Sequence, residues 1–238
     1  MPGVWLILPT YDEAENIEPI VAATLPQLAA TGLEHRVLVV DDDSPDGTGP
    51  IADRLAAENP CVEVLHRRSK DGIGPAYLAG FARALSGGAD LVMEMDSDFS
   101  HDPADIPRLV AAADRADLVL GSRYVPGGGV TDWGRARRLI SRGGSLYARI
   151  LLGIPVDDLT GGFKCFRRSV LERLDLSGVG TDGYGFQIEV TYRAVKAGFR
   201  VEEVPILFRD RLVGSSKMSA KIAVEAFWKV PLLRFRVR

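Results

Sequence analysis

The stretch Leu-Val-Met-Glu-Met-Asp-Ser-Asp at residues 91–98 decides how the rest of the chain is interpreted. An apolar run typical of a buried strand ends here in two carboxylates, Asp96 and Asp98. Hard divalent cations prefer oxygen ligands, and Mg²⁺ commonly takes one or two carboxylates and completes its shell with water and substrate phosphates. Alone, the triplet has a simpler explanation, a capped turn in which Asp98 or Ser100 leads into a helix.

A second apolar run, residues 37–40, also ends in carboxylates, Asp41, Asp42 and Asp43. Solvated turn residues are the alternative explanation, because the following Ser-Pro-Asp-Gly at 44–47 has strong turn chemistry. Three consecutive acids at the end of a buried strand repel one another, which is easier to explain if a cation or a sugar lies between them. Ligands of open α/β sheets bind beyond the carboxyl ends of the strands. The two clusters therefore predict a nucleotide-diphosphate site with a metal.

Apolar runs and helical patterns alternate along the first half of the chain. Strands are predicted at 4–8, 37–40, 62–65, 91–95 and 118–120, and helices at about 14–30, 51–56, 76–85 and 103–113. This alternation indicates an α/β fold with a mainly parallel sheet flanked by helices. Beyond Arg123 the pattern changes, with a loop at 126–129 followed by an arginine-rich helical stretch, and a second loop at 157–163. Helices are predicted at 170–174 and about 186–197, and a final strand at 201–208.

Charge is unevenly distributed, although the net charge of −3 gives no overall attraction to nucleic acid. Residues 133–156 contain five arginines and no acid, with apolar Leu139, Leu146 and Ile150 on one helical face. This segregation predicts an anionic partner, and a solvated helix face is the alternative. Two cysteines without metal-ligand spacing indicate a reduced, cytosolic protein, and no apolar run approaches the ~18 to 20 residues of a membrane span.

Residues 9–13, Pro-Thr-Tyr-Asp-Glu, directly follow the first predicted strand. One interpretation is a helix cap by Thr10 or Asp12. The other is that Tyr11 stacks on a nucleobase while Glu13 accepts hydrogen bonds from the base or the ribose. The spacing leaves both open. His101 is interpreted as part of a helix entry.

Taken in order, six motifs resemble those of family 2 glycosyltransferases with the GT-A fold, and more closely the dolichol- or polyprenol-phosphate mannose synthases. The motifs are Pro-Thr-Tyr-Asp-Glu (9–13), Asp-Asp-Asp-Ser-Pro-Asp-Gly-Thr (41–48), Met-Asp-Ser-Asp-Phe-Ser-His (95–101), Gly-Ser-Arg-Tyr (121–124), Asp-Leu-Thr-Gly-Gly-Phe (158–163) and Asp-Arg-Leu-Val-Gly-Ser-Ser-Lys (210–217). They span almost the whole chain in order, so the resemblance is highly specific.

The resemblance implies roles for individual residues. Asp96 and Asp98 would hold Mg²⁺ or Mn²⁺ together with Ser100, and Asp96, Asp98 and Arg123 would be catalytic. The acceptor phosphate would lie at Arg137 and Ser141. The nucleotide-sugar site would be formed by Pro9, Tyr11, Glu13, Val40, Asp42, Asp96, Ser97, Asp98, Arg123, Arg211 and Lys217. The loop between Arg211 and Lys217 is expected to order over the donor.

The implied reaction is inverting transfer of mannose from GDP-mannose to a polyprenol phosphate at the cytoplasmic face of a membrane. A polyprenol-phosphate glucose synthase using UDP-glucose and a catalytically silent nucleotide-sugar-binding subunit are the alternatives. Residues 1–217 are expected to form the catalytic domain. Residues 218–238 form a basic, amphipathic segment that either lies on the membrane surface or packs on the domain as a docking helix. A membrane-anchoring partner subunit is a further expectation.

Overall fold

The computed structural model describes residues 3–181, 183–210 and 229–237. The strands in these ranges are β1 (Gly3–Thr10), β2 (Glu34–Asp41), β3 (Val62–His66), β4 (Leu91–Glu94), β5 (Leu118–Ser122), β6 (Gly129–Val130), β7 (Lys164–Arg167), β8 (Val201–Pro205) and β9 (Leu207–Phe208). The helices are α1 (Ile17–Ala29), α2 (Thr48–Glu58), α3 (Ile73–Ser86), α4 (Ile106–Ala112), α5 (Arg135–Leu152), α6 (Arg168–Arg173), α7 (Tyr184–Lys196) and α8 (229–236).

Seven strands form the central sheet in the order β3-β2-β1-β4-β7-β5-β8. Every neighbouring pair is parallel except those made by β7, which runs antiparallel to both β4 and β5. The carboxyl ends of β1, β2 and β4 therefore meet at one edge, as the alternation of strands and helices predicts. The mainly parallel α/β architecture predicted from the sequence is confirmed.

The core lies in two layers, one on each face of the sheet. Along β1, Trp5 and Ile7 belong to one buried cluster, whereas Val4, Leu6 and Leu8 belong to the other. This alternation follows from the two-residue period of a strand. Both faces are apolar because helices cover both, which is why the predicted strands are continuous apolar runs.

Two predictions about strands were wrong. Strand β7 was not predicted, because its four residues begin with a lysine and end with an arginine. The predicted strand at 201–208 is two strands: β8 pairs with β5 as far as Pro205, and β9 then pairs with β6 in a separate two-stranded sheet. Pro205 has no N–H for the ladder, so the change of partner occurs where the chain has lost a donor.

The predicted apolar stripe of α5 points outward. Leu139 is 75% exposed and Ile150 72% exposed, and the residues of this helix that are buried are Ser145, Ala148 and Leu152. Helix α8, in contrast, buries Val230 and Leu233 in the core. In the described part of the C-terminal segment, these two apolar side chains therefore pack on the domain.

Candidate active site

Backbone and side-chain hydrogen bonds tie together the three strand ends on which the predicted donor site depends. The Asp42 N–H donates to the Thr10 carbonyl oxygen at 3.0 Å, and the Ser97 hydroxyl donates to the Pro9 carbonyl oxygen at 3.2 Å. Within β2, the buried Val40 offers its carbonyl oxygen to the Thr10 hydroxyl at 3.3 Å. The structure thus brings together the predicted residues from the ends of β1, β2 and β4.

Strained backbone is concentrated at this edge. Four non-glycine residues have positive φ in the described ranges, and three of them, Asp12, Asp43 and Phe99, follow β1, β2 and β4 respectively. The left-handed conformation costs a side-chain-bearing residue roughly 1–3 kcal/mol and is typically retained where it contributes to a functional geometry. The fourth is Asp132, in the loop before α5.

Asp96 and Asp98, the predicted metal ligands, differ in exposure. The Asp98 carboxylate is buried and accepts the Ser100 N–H at 3.0 Å, while the Asp96 side chain is 32% exposed. The Ser100 hydroxyl is buried and has no hydrogen-bond partner among the described residues. These two carboxylates and one hydroxyl fit a hard cation that takes its remaining ligands from phosphate and water. In the described ranges, no three His, Cys, Asp or Glu side chains form a metal-binding group.

His101 holds this acidic turn, a role that its position in the sequence did not indicate. Its Nδ1 accepts the Asp96 N–H at 3.3 Å, and its ring packs against Phe163 and Phe208. Burial lowers the pKa of His101 to about 4, despite the opposing charge of Asp98. The ring is therefore neutral at pH 7, as an Nδ1 acceptor must be.

At the far end of the predicted donor site, Tyr11 and Asp42 lie beside two cations from the segment after β3. The Lys70 Nζ lies 3.7 Å from the centroid of the Tyr11 ring, and Arg67 donates to Asp42 at 2.6 Å. Burial raises the pKa of Asp42, and the contact with Arg67 opposes that rise. Neither Arg67 nor Lys70 was singled out from the sequence, where both belong to a polar loop.

The helix-cap interpretation of residues 9–13 was wrong in its details. Helix α1 begins at Ile17 with Asn16 as its N-cap, so neither Thr10 nor Asp12 caps it. The buried Glu13 carboxylate accepts a hydrogen bond from the Asn16 side chain at 2.7 Å. Glu13 thus contributes to the entry of α1, and Tyr11 to the surface of the site.

Arg123 is buried and held by a residue that the sequence analysis placed in a loop. Its backbone N–H and its Nε donate to one Asp158 oxygen at 2.9 and 2.7 Å, and its NH2 donates to the other at 2.7 Å. Burial alone would raise the pKa of Asp158, but the charge and hydrogen bonds of Arg123 outweigh it and lower the pKa. The two residues are 35 positions apart, so no local spacing could have revealed the pair.

A second buried pair lies under the acidic turn. Glu94 and Lys164 are direct neighbours on β4 and β7, and both are fully buried. Lys164 donates to the Gln187 carbonyl oxygen at 2.9 Å and to the Gln187 side-chain oxygen. Burial raises the pKa of Glu94 to about 7 and lowers that of Lys164 to about 8, and the opposite charge of the partner opposes each shift.

The predicted acceptor residues lie one turn apart on α5. Arg137 forms an ion pair with Asp210 at 2.9 Å, and Ser141 accepts a hydrogen bond from the Tyr124 hydroxyl at 2.7 Å. Tyr124 follows Arg123, so this contact connects the acceptor side to the buried Arg123–Asp158 pair. Arg211 and Lys217, with the loop expected to close over the donor, lie outside the described residues.

Comparisons with known proteins identify the family of this chain. Residues 5–175 match the family described as Glycosyl transferase family 2. The chain is 50% identical over 223 residues to an undecaprenyl-phosphate mannosyltransferase of Micrococcus luteus, covering 94% of this chain and 90% of that protein. It is 49% identical over 230 residues to a polyprenol monophosphomannose synthase of Mycolicibacterium smegmatis, covering 94% and 84%.

Solved structures with the same fold include glucosyl-3-phosphoglycerate synthase of Mycobacterium tuberculosis. Its complex with phosphoglyceric acid aligns with a TM-score of 0.74 at 20% identity, covering 98% of this chain and 80% of that one. Its complex with Mn²⁺, UDP-glucose and phosphoglyceric acid aligns with a TM-score of 0.73 at 20% identity, covering 100% and 81%. The structural likeness concerns the fold, and the family match extends over most of the chain. The chain belongs to glycosyltransferase family 2.

Proposed function

We propose that this protein is an inverting mannosyltransferase that moves mannose from GDP-mannose to a polyprenol phosphate, giving polyprenyl phosphate mannose. The observation that carries the proposal is the identity of about half the residues, over 94% of the chain, with the two polyprenyl-phosphate mannosyltransferases. The arrangement of the site supports it, because a strand-end donor edge and an arginine-rich helix meet around Arg123 and Tyr124.

A single displacement at the anomeric carbon requires little covalent chemistry from the protein. A lipid phosphate with a second pKa of about 6 carries roughly −1.5 to −2 charge at pH 7, so it is already a nucleophile. The residues of this chain have to position it, exclude water and accommodate the charge that develops on the departing diphosphate. Tyr11, Glu13 and Asp42 would hold the nucleoside, and Asp96, Ser97 and Asp98 would lie nearer the diphosphate.

A divalent cation, Mg²⁺ or Mn²⁺, fits the acidic turn. Asp96 and Asp98 would hold it, with the buried Ser100 hydroxyl as a third ligand. Bound there, the ion would supply charge neutralisation for the leaving diphosphate. Arg123 would add positive charge nearby, and Asp158 fixes its orientation.

The beginning of α5 supports an anionic acceptor. Arg135, Arg137 and Arg138 occupy its first turn, and the N-cap Gly134 provides no side-chain hydrogen bond. Cations are unfavourable near a helix N-terminus, whose partial positive charge favours anions. Arginine is well suited to phosphate because its planar fork can donate two parallel hydrogen bonds. Arg137 and Ser141 would therefore receive the lipid phosphate.

The outward face of α5 supports peripheral attachment to the cytoplasmic face of a membrane. Leu139, Ile140 and Ile150 are each more than 70% exposed, and the arginines beside them are also exposed. An apolar stripe flanked by basic residues matches an interfacial helix that enters the boundary between headgroups and acyl chains. In the described ranges, no helix is both long and apolar enough to span a bilayer. A membrane-anchoring partner subunit is the other proposed route to attachment.

The deciding experiment offers the purified protein polyprenol phosphate with either radiolabelled GDP-mannose or radiolabelled UDP-glucose, in the presence of Mg²⁺ or Mn²⁺. We expect labelled lipid from GDP-mannose. Exclusive labelling from UDP-glucose would replace the mannosyltransferase by a glucosyltransferase. Labelling from neither donor, with nucleotide binding intact, would support the silent-subunit alternative.

A further inference from the structure

We propose that Trp133 is a positioning residue for the acceptor phosphate, acting through Arg137. The proposal rests on the proposed function, which assigns Arg137 to the phosphate of the lipid. Trp133 would hold the guanidinium of Arg137 in the orientation in which it can bind a phosphate, and it would do so through the face of its indole ring.

The first support is the contact itself. The Cζ of Arg137 lies 4.2 Å from the centroid of the Trp133 ring, well within the ~6 Å at which a cation is attracted to an aromatic face. Trp133 is only 7% exposed, whereas the Arg137 side chain is 45% exposed. An immobile aromatic surface therefore supports a partly solvated cation, which reduces the conformational freedom that phosphate binding would otherwise have to remove.

The second support is the way in which Trp133 is fixed. Its ring packs edge-on against Phe208 at 5.3 Å, and the Thr131 N–H donates to the Phe208 carbonyl oxygen at 2.8 Å. Asp132, which lies between Thr131 and Trp133 in the sequence, adopts the left-handed conformation, with φ of 62°. The loop is therefore held in a strained conformation that presents Trp133 to the first turn of α5, four residues before Arg137. Strain of this kind persists only where the surrounding contacts determine the geometry.

The third support is that Trp133 lies between the proposed donor site and the proposed acceptor site. The Cζ of Arg123 lies 5.8 Å from the Trp133 ring centroid and 5.4 Å from that of Phe208. One indole ring thus contacts both the arginine assigned to the donor side and the arginine assigned to the acceptor. Loss of the ring would change the position of Arg137 most, because Arg123 is held independently by Asp158.

The test is a double-mutant cycle with four proteins: wild type, Trp133→Leu, Arg137→Met and the double variant. We expect Trp133→Leu to raise KM for polyprenol phosphate about five- to tenfold, the scale of a partly desolvated cation–π contact, while KM for GDP-mannose changes less than about twofold. In the Arg137→Met background the same substitution should change acceptor KM by less than about twofold, because residues that act through one contact are not additive.

Trp133→Phe separates the ring from the rest of the side chain. It keeps an aromatic face and removes an indole N–H that is buried without a hydrogen-bond partner among the described residues. We therefore expect near-normal acceptor KM, and a loss of stability from the smaller ring that removal of the unpaired N–H partly offsets. Should Trp133→Leu fail to fold, Trp133→Met keeps more of the side-chain volume and carries the same expectation as the leucine variant.

Trp5 provides a matched control. It is 6% exposed and has two arginines over its ring, Arg36 at 5.2 Å and Arg83 at 5.4 Å, at the beginning of β1 rather than at α5. Trp5→Leu should lower stability and leave the ratio of the two KM values unchanged. A similar acceptor defect in this variant would show that the effect of Trp133 is merely structural.

Three results would overturn the proposal: equal defects in the phenylalanine and leucine variants, equal rises in donor and acceptor KM, or a full effect of Trp133→Leu in the Arg137→Met background. A failure of the proposed function appears differently, as absence of mannosyl transfer by the wild-type protein. If the wild-type protein transfers mannose and Arg137→Met leaves acceptor KM unchanged, Arg137 does not bind the phosphate. Trp133 then cannot position the phosphate through Arg137.

Discussion

The donor edge of the sheet and the arginine-rich helix α5 are built in opposite ways. At the donor edge, Asp42 and Asp98 are buried and held by hydrogen bonds from Arg67 and from the backbone. Along α5, nearly every side chain between residues 134 and 144 is exposed, including two large apolar ones. The two carboxylates of the first region are held by other groups of the protein, whereas the second region exposes apolar side chains that water solvates poorly.

This contrast is consistent with the proposed division between a donor site at the sheet edge and an acceptor site at α5. A soluble, charged nucleotide sugar suits a rigid site whose polar groups are fixed before binding, because this lowers the ordering cost of binding. A lipid phosphate arrives in a membrane, and its chain can remain there if the protein approaches the surface with an apolar face and cations. Substitutions in the two regions should therefore have different effects on donor use, acceptor use and stability.

Removing one carboxylate of the acidic turn should abolish transfer without unfolding the protein. We expect Asp98→Ala to lower kcat at least ~10²- to 10³-fold, because one group that manages developing charge is lost. Radiolabelled lipid product measures the rate, and the unfolding midpoint measures stability. The matched control is Asp114→Ala, an exposed aspartate before β5 at the opposite edge of the sheet. Near-normal turnover of Asp98→Ala at saturating metal would remove Asp98 from the metal site.

Breaking the buried pair at the junction of the two regions should mainly affect stability. Asp158→Ala leaves Arg123 buried without its partner, and we expect a loss of about 3–5 kcal/mol in the free energy of unfolding, measured with urea. The control, Arg54→Ala, breaks an exposed pair with Glu18 and should cost far less, because water and salt screen exposed ion pairs. A similar loss of unfolding free energy in both variants would contradict the expected difference between a buried and an exposed ion pair.

The buried Asp158–Arg123 pair also predicts how the stability of the protein changes with pH. The pKa of Asp158 is lower in the folded protein than its ordinary value, so its contribution to stability is fully present above that ordinary value. The contribution is lost as pH falls through the lowered pKa. Asp158→Ala should therefore weaken the pH dependence of stability at acidic pH.

Polar substitution of the exposed stripe tests attachment to the membrane. The double variant Leu139→Gln/Ile150→Gln should bind anionic vesicles roughly tenfold more weakly, because it removes apolar area from the interface. Cosedimentation measures the bound fraction, and donor KM should not change. The control places glutamines at two exposed alanines, Ala57 on α2 and Ala111 on α4. If vesicle binding weakens equally in the control, or does not weaken in the α5 variant, the exposed face of α5 is not the membrane-binding surface.

The smallest effect concerns the carboxylate that is paired with Arg137. Asp210 lies 2.9 Å from the arginine and would compete with an incoming phosphate. We expect Asp210→Asn to lower KM for polyprenol phosphate about twofold to fivefold, since exposed ion pairs are worth about 0.2–1 kcal/mol and like-charge repulsion is also removed. A higher KM would mean that Asp210 orients Arg137 for binding. Initial rates at varied acceptor concentration decide between the two.

Much of the donor edge could be predicted from sequence, because its signals are local. Apolar runs ending at Pro9, Asp41 and Asp96 mark strand ends, and strands that alternate with helices bring those ends to one edge. The exposed stripe of α5 was also predicted, although the pattern could not show which way it faces. The resemblance, rather than spacing, supplied the roles of Arg137 and Ser141.

The remaining features depend on contacts between residues distant in sequence. Strand β7 was missed because a buried lysine reads as a surface residue until Glu94 and Gln187 are known to surround it. Asp158 was predicted only as part of a loop, because nothing local in the sequence indicates that it binds Arg123. His101 was predicted only as part of a helix entry, because nothing local indicates that it accepts the Asp96 N–H. Buried polar groups must find partners, but the sequence does not state which.

The antiparallel strand β7 also has a consequence for the order in which the molecule assembles. The described central sheet contains two blocks of strands, β3-β2-β1-β4 and β5-β8. No strand of one block is hydrogen-bonded to a strand of the other, and β7 lies between them and pairs with both. During synthesis β1, β2 and β3 can pair soon after they emerge, since these partners are close in the chain, and β4 can then pair with the more distant β1. The two blocks cannot be joined until Arg167 has been added, so late, non-local pairing is expected to limit the folding rate. A nascent chain that stalls before β7 would expose the flank of β4 as a free edge, with the hazard of pairing with another chain.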